Sequence, residues 1–213
     1  MIRFENITTE YFSSLSFEIK EGSVCKIIPA SDEKKKNLLN IITGIKEPIS
    51  GKVFLFGEDI YSMFEKKYIK LFHRIGLVLE NGGTISNLKA WENITLPVWY
   101  HKGKKPEDME GRIIGIFEEL GISRSYLGEL MGKLPGPLPI HEKRIIGLIR
   151  AMLMEADLMI YESLFEGLSP ELAQRLITLT EKFHLEKAGR SSVYITTNEL
   201  PLKDLKADVV LRL

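Results

Sequence analysis

The stretch Ile27 to Ile45, IIPASDEKKKNLLNIITGI, decides how the whole 213-residue chain is read. It completes Val24-Cys25-Lys26-Ile27-Ile28, a short apolar run of the kind that forms a buried strand. Further on, Leu38, Leu39, Ile41, Ile42 and Ile45 recur at helical spacing, which predicts a helix over about 35–45 with Gly44 near its end. Between strand and helix lies a short loop carrying Pro29, Asp32, Glu33 and the run Lys34-Lys35-Lys36. A strand, a tight loop and a helix in that order make a layout whose backbone N–H groups are able to receive an anion at the helix N-terminus.

The alternation continues outward from this unit. Ser14 to Lys20 alternates apolar and polar residues, as a half-buried strand does, and Gly51 to Gly57 is a strand bracketed by glycines. Ile75 to Leu79 is a short apolar strand followed by the turn Glu80-Asn81-Gly82-Gly83. From Trp91 to Gly132 the pattern is helical, interrupted by a basic loop, His101 to Pro106, that reads as a solvated connection. One domain over residues 1–213 is expected, with a helical subdomain of about 87–140 inserted in it. After Pro139 come a helix to about Glu155, a buried strand Leu158 to Tyr161, and a helix from Pro170 to about His184. Strands at Val193 to Thr196 and Asp208 to Leu213 follow. Strands alternating with helices predict an α/β fold, a parallel sheet covered on both faces.

Composition excludes several classes. With 29 Lys+Arg against 29 Asp+Glu, the chain has no excess of cations to displace counterions from phosphates, so nucleic acid is not an expected partner. Cys25 is the single cysteine and has no internal partner, which points to a buried thiol in a reducing compartment. The four histidines, His73, His101, His141 and His184, lack metal-ligand spacing, and no metal site is expected. No apolar stretch approaches the roughly 18 residues of a membrane span, and Met1 to Glu5 carries no leader pattern. A cytoplasmic location is expected.

Five segments resemble the ATP-binding-cassette (ABC) transporter ATPases, in the family's order and at about its spacings. Ile27 to Ile45 resembles the Walker A region, and Ile75 to Asn81 the Q-loop strand. Leu134 to Met152, LPGPLPIHEKRIIGLIRAM, resembles the signature motif and its helix. Ala156 to Pro170, ADLMIYESLFEGLSP, resembles Walker B and the D-loop, and Ile195 to Leu200 the H-loop. The turn Asn81-Gly82-Gly83 and the wording around Leu134 look most like the lipid-transport branch that contains the Mla-type ATPases. The resemblance implies a P-loop NTPase-like (RecA-like) parallel sheet with an antiparallel β portion and a helical insertion. It also implies ATP and Mg²⁺ as cofactors, a second ABC subunit, and a membrane permease bound at the cytoplasmic face of the inner or plasma membrane.

Carried over residue by residue, the motifs depart from the family. Lys35 matches the phosphate-binding lysine, but Pro29, Asp32 and Lys34 replace the three glycines. Lys36 stands at the Mg²⁺-ligating hydroxyl, followed by Asn37. Pro29 has no N–H to offer, and Asp32 and Glu33 bring negative charge where phosphate would sit. Glu162 falls at the Walker B aspartate and Ser163 at the catalytic glutamate; a serine is no base at neutral pH. Asn198 falls at the switch histidine and cannot titrate, and Glu80 replaces the Q-loop glutamine. The signature turn falls on Leu138-Pro139-Ile140-His141-Glu142, without its hydroxyl or its glycines, and Ser169 replaces the D-loop aspartate.

The favoured expectation is therefore a pseudo-ATPase subunit of a transport complex, structural or regulatory, with lipid as the suggested cargo. A functional ATPase with atypical motifs and an interaction module detached from any transporter stand as alternatives. Tyr11 lies where the family stacks an aromatic on adenine, or else is a strand-end aromatic. Gly83, Thr84, Ile85, Trp91 and Trp99 either line the groove that receives a permease helix or belong to the core of the helical subdomain.

Overall fold

The computed structural model describes residues 1–213. The strands, in chain order, are β1 (Ile2–Thr8), β2 (Leu15–Ile19), β3 (Val24–Ile28), β4 (Ser50–Leu55), β5 (Glu58–Asp59), β6 (Ile75–Val78), β7 (Leu158–Glu162), β8 (Ser191–Ile195) and β9 (Val209–Arg212). The helices are α1 (Asp32–Ile42), α2 (Glu65–Phe72), α3 (Ala90–Lys102), α4 (Glu110–Glu119), α5 (Arg124–Met131), α6 (Ile140–Leu153) and α7 (Pro170–Leu185). Five strands form a parallel sheet in the order β6-β7-β8-β3-β9, and four form an antiparallel sheet in the order β2-β1-β4-β5. The expected α/β architecture, parallel sheet plus antiparallel portion, is present.

The central strands are apolar on both faces, as buried parallel strands must be. Because side chains alternate, β7 and β8 feed two separate cores. Leu158, Ile160, Val193 and Ile195 pack with Leu38, Leu39, Ile41 and Ile42 of α1 and with Ile2, Phe4 and Val53 of the antiparallel sheet. Met159, Tyr161 and Tyr194 face the other way, into Ile145, Ile146 and Ile149 of α6 and Phe183 of α7. Cys25 is fully buried in the first of these cores, and burial pushes its thiol up to about 12. Between β6 and β7, neighbours in the sheet, the chain makes α3 to α6.

Three elements have no counterpart in the sequence expectations: β1, the two-residue β5, and α2. Ile2, Phe4 and Ile7 bury β1, but the register shifts between Phe4 and Ile7, which breaks the strict alternation of a regular strand. In α2 only Leu71 is buried, but Tyr68, Leu71 and Phe72 share one face at helical spacing, a signal that was there to be seen. The start and end of α1 also differ from expectation. It begins at Asp32, not near Lys35, and ends at Ile42, which leaves Ile45 75% exposed beyond its end. Ser31 caps it, its Oγ accepting the Lys34 N–H at 3.3 Å, and Asp32 and Glu33 sit in the first turn, where the helix dipole favours negative charge.

Candidate functional site

Segments that follow β3, β6, β7 and β8 converge at the C-terminal edge of the parallel sheet, where open α/β sheets place their ligands. The centre is the Lys35 ammonium, on a side chain 5% exposed. All three of its donors are used: Glu80 Oε2 at 2.8 Å, Asp32 Oδ1 at 3.0 Å and Ser163 Oγ at 3.0 Å. Burial by itself would lower the Lys35 pKa; the bonds to Glu80 and Asp32 outweigh it and the net shift is upward. The Asp32 carboxyl, largely exposed to solvent, is held below its usual range by its hydrogen bond to Lys35.

A second layer fixes these groups. Glu162 Oε2 accepts the Glu80 N–H at 3.0 Å; burial raises the Glu162 pKa, with that bond and Lys35 opposing. Arg144 of α6, 5% exposed, donates from Nε to the Glu80 carbonyl at 2.7 Å and from Nη1 to the Glu166 carbonyl at 2.5 Å. Thr197 Oγ1 donates to Asp32 Oδ1 at 3.3 Å, and Thr196 to the Glu166 carboxylate. Ser163 sits at φ 46°, in the left-handed region, and is 2% exposed. Arg144, Thr196, Thr197 and Glu166 were missed from sequence, because each joins segments far apart in the chain.

Other sequence-predicted residues lie apart from this cluster. Lys36 is exposed at the rim of the cleft of about 630 Å³ that Lys35, Glu80 and Glu162 line. Asn37 is buried, bonded to Glu10 at 3.4 Å, and its Oδ1 has no partner. Asn198 is exposed and its Oδ1 accepts the Leu200 N–H at 3.1 Å, so it closes its own local turn. Tyr11 is 41% exposed and does not line the cleft. Trp91 packs against the core of α3 to α6, beside a separate cleft with Ile113, Ile114 and Leu127, while Trp99 is 54% exposed. At the signature position Glu142 is buried, accepts the Tyr126 hydroxyl, and leaves its Oε2 unpartnered.

The residues present do not fit Mg-ATP. In the loop, no residue from 29 to 34 adopts positive φ, so no anion-binding nest forms. Three of its N–H groups are already taken: Ala30 by the Leu213 carbonyl at 2.6 Å, Lys34 by Ser31 Oγ, and Lys35 by the Ser31 carbonyl at 3.0 Å. No hydroxyl stands at Lys36 to ligate Mg²⁺, and the lysine that would neutralise phosphate is already neutralised.

Fold and motif order together define a cassette ATPase scaffold, and the chain belongs to the ABC transporter family, whose pattern matches residues 12–163. It is similar to the methionine import ATP-binding protein MetN of Rhizobium meliloti, 26% identical over 196 residues, covering 92% of this chain and 53% of that one. MetN of Corynebacterium efficiens is 27% identical over 209 residues, covering 97% and 55%. The chain thus spans about half the length of these relatives. Its fold matches the dimeric bacterial ABC transporter cassette MJ0796 with TM-score 0.84 and 20% identity, over 100% of this chain and 94% of that one. The relatives' names specify methionine import and lend no support to the expected lipid branch.

Proposed function

We propose that this chain is a non-hydrolysing ABC subunit, a pseudo-ATPase that serves a membrane transport complex as a structural or regulatory partner. The observation that carries it is the start of α1: the Lys34 and Lys35 N–H groups close a helical turn on Ser31, and Asp32 and Glu80 take the Lys35 ammonium. With Ser163 on Lys35 and Asn198 turned to Leu200, the positions expected to carry the catalytic glutamate and the switch histidine supply neither base nor switch.

The assembly proposed is a dimer with a second ABC subunit, docked through the surface near Gly83, Thr84, Ile85 and Trp91 on a permease at the cytoplasmic face of a membrane. Residues of about 87–140 act as the helical subdomain of that docking. No helix is long and apolar enough to cross a membrane; the anchor proposed is the permease. For cargo, the relatives' names make an amino acid the first candidate, and lipid the second.

Isothermal titration with Mg-ATP, paired with phosphate release, tests the reading. The expected result is no saturable binding at millimolar nucleotide and release at the buffer rate. Tight binding with turnover that Lys35→Ala abolishes overturns it and favours the atypical ATPase.

A further inference from the structure

We propose that Glu80 is a built-in occupant of the position over Lys35, and that it fastens the turn after β6, and through it α3, in one setting that needs no nucleotide. The inference rests on the reading above, but on contacts of its own. Glu80 is held at three points: its carboxylate by Lys35 at 2.8 Å, its N–H by Glu162 at 3.0 Å and its carbonyl by Arg144 at 2.7 Å. The next residues are held as well. Arg150 of α6 donates to the Gly83 carbonyl at 2.9 Å and the Gly82 carbonyl at 3.2 Å, and Gly83 N–H meets Asn81 Oδ1 at 2.9 Å.

From there the buried Asn93 of α3 takes over. Its Oδ1 accepts the Ile85 N–H at 2.7 Å, and its Nδ2 donates to the carbonyls of Ile85, Leu88 and Lys89 at 3.1, 2.8 and 3.1 Å. The Ala90 N–H reaches the Lys133 carbonyl at 2.9 Å, tying the start of α3 to the end of α5. A continuous series of short contacts therefore runs from the lysine of the phosphate loop to the helical layer. Coupling needs an element with two settings that a ligand biases. Here the biasing anion is part of the chain, so a single setting is occupied throughout.

The Lys35–Glu80 pair is the one charged contact in this series that a substitution removes without touching the backbone bonds. The Lys35 charge is nearly buried, so loss of the Glu80 carboxylate leaves it under-compensated.

Hydrogen exchange on the intact chain tests the lock. Glu80→Gln is expected to raise amide exchange over 82–93 at least about tenfold, and Lys35→Met to raise it equally. The double variant should exceed neither single one, because the two share one contact. Glu80→Ala, which has no carboxylate to offer Lys35, is expected to behave as Glu80→Gln and serves if Lys35→Met does not fold. Raising salt from about 0.05 to about 0.5 M should speed exchange there in the wild type and not in Glu80→Gln, since ion pairing with a half-exposed carboxylate is screened. Unchanged exchange in a folded Glu80→Gln overturns the lock and leaves the pseudo-ATPase reading standing. Saturable Mg-ATP binding by the wild type overturns that reading, and exchange in the Glu80 variants still decides the lock by itself.

Discussion

Gly147, midway along α6, rests directly on the backbone of Gly82 in the turn after β6: a Cβ added to Gly147 would lie 2.5 Å from the Gly82 carbonyl oxygen. Gly82 is equally confined from its own side, at φ +79° with a Cβ position 2.3 Å from the Lys143 carbonyl oxygen. Backbone meets backbone, and neither side has a flexible chain end to give way. Gly147→Ala is expected to cost about 2 kcal/mol or more despite its better helix propensity, because overpacking outweighs the propensity gain. The thermal midpoint should fall by at least about 4 °C.

Asn93 is 1% exposed and satisfies the turn ahead of α3 from both ends of its amide. Asn93→Ala leaves the Ile85 N–H and the Leu88 carbonyl without partners, while the Ile85 and Lys89 carbonyls keep backbone N–H donors, and should cost about 2–4 kcal/mol by denaturant titration. Asn93→Asp should be worse still, because it turns an acceptor toward three carbonyl oxygens.

Restoring a glutamate at Ser163 should not restore hydrolysis. Ser163 is 2% exposed at φ 46°, and its Oγ is part of the Lys35 cluster. A buried carboxylate there joins those of Glu80 and Glu162, and the expected cost is about 2 kcal/mol or more. Phosphate release by Ser163→Glu should stay at background while its thermal midpoint falls.

Glu162 gives a pH test with a definite sign. Burial raises its folded-state pKa, so the folded chain holds that proton more tightly than the unfolded chain does. Its stabilising contribution is present below the ordinary carboxylate range and is lost as pH rises through the raised folded value. At neutral pH the ionised group is a net cost, and Glu162→Gln keeps an oxygen for the Glu80 N–H. That variant should be the more stable of the two at pH 7, with the higher thermal midpoint. The gain should vanish as pH falls and the wild-type carboxyl becomes neutral too; midpoints measured across pH 4–7.5 check it.

The parallel strands and the helices around them were legible because their apolar runs are short, dense and well separated. The start of α1 was legible but overruled: Ser31-Asp32-Glu33 is a helix cap followed by an acidic first turn, and the likeness to a phosphate loop hid it. The placement of Asp32 and Glu80 against phosphate was seen, whereas their pairing with Lys35 was not. Glu80 is 45 residues from Lys35, and no periodicity records which carboxylate a lysine meets across a sheet edge. Asn93 carried a faint signal, a polar amide inside an apolar helical stretch. Arg144 and Arg150 carried none, since charged residues on a helix usually face water.

The two faces of the parallel sheet open onto separate interiors, and β7 and β8 give fully buried side chains to both. Their side chains alternate between the two, so an insertion of a single residue within β7 would exchange the contents of both compartments at once. Length variation among descendants of this chain should therefore gather in connections such as 103–106 and 186–190, and spare the five residues of β7.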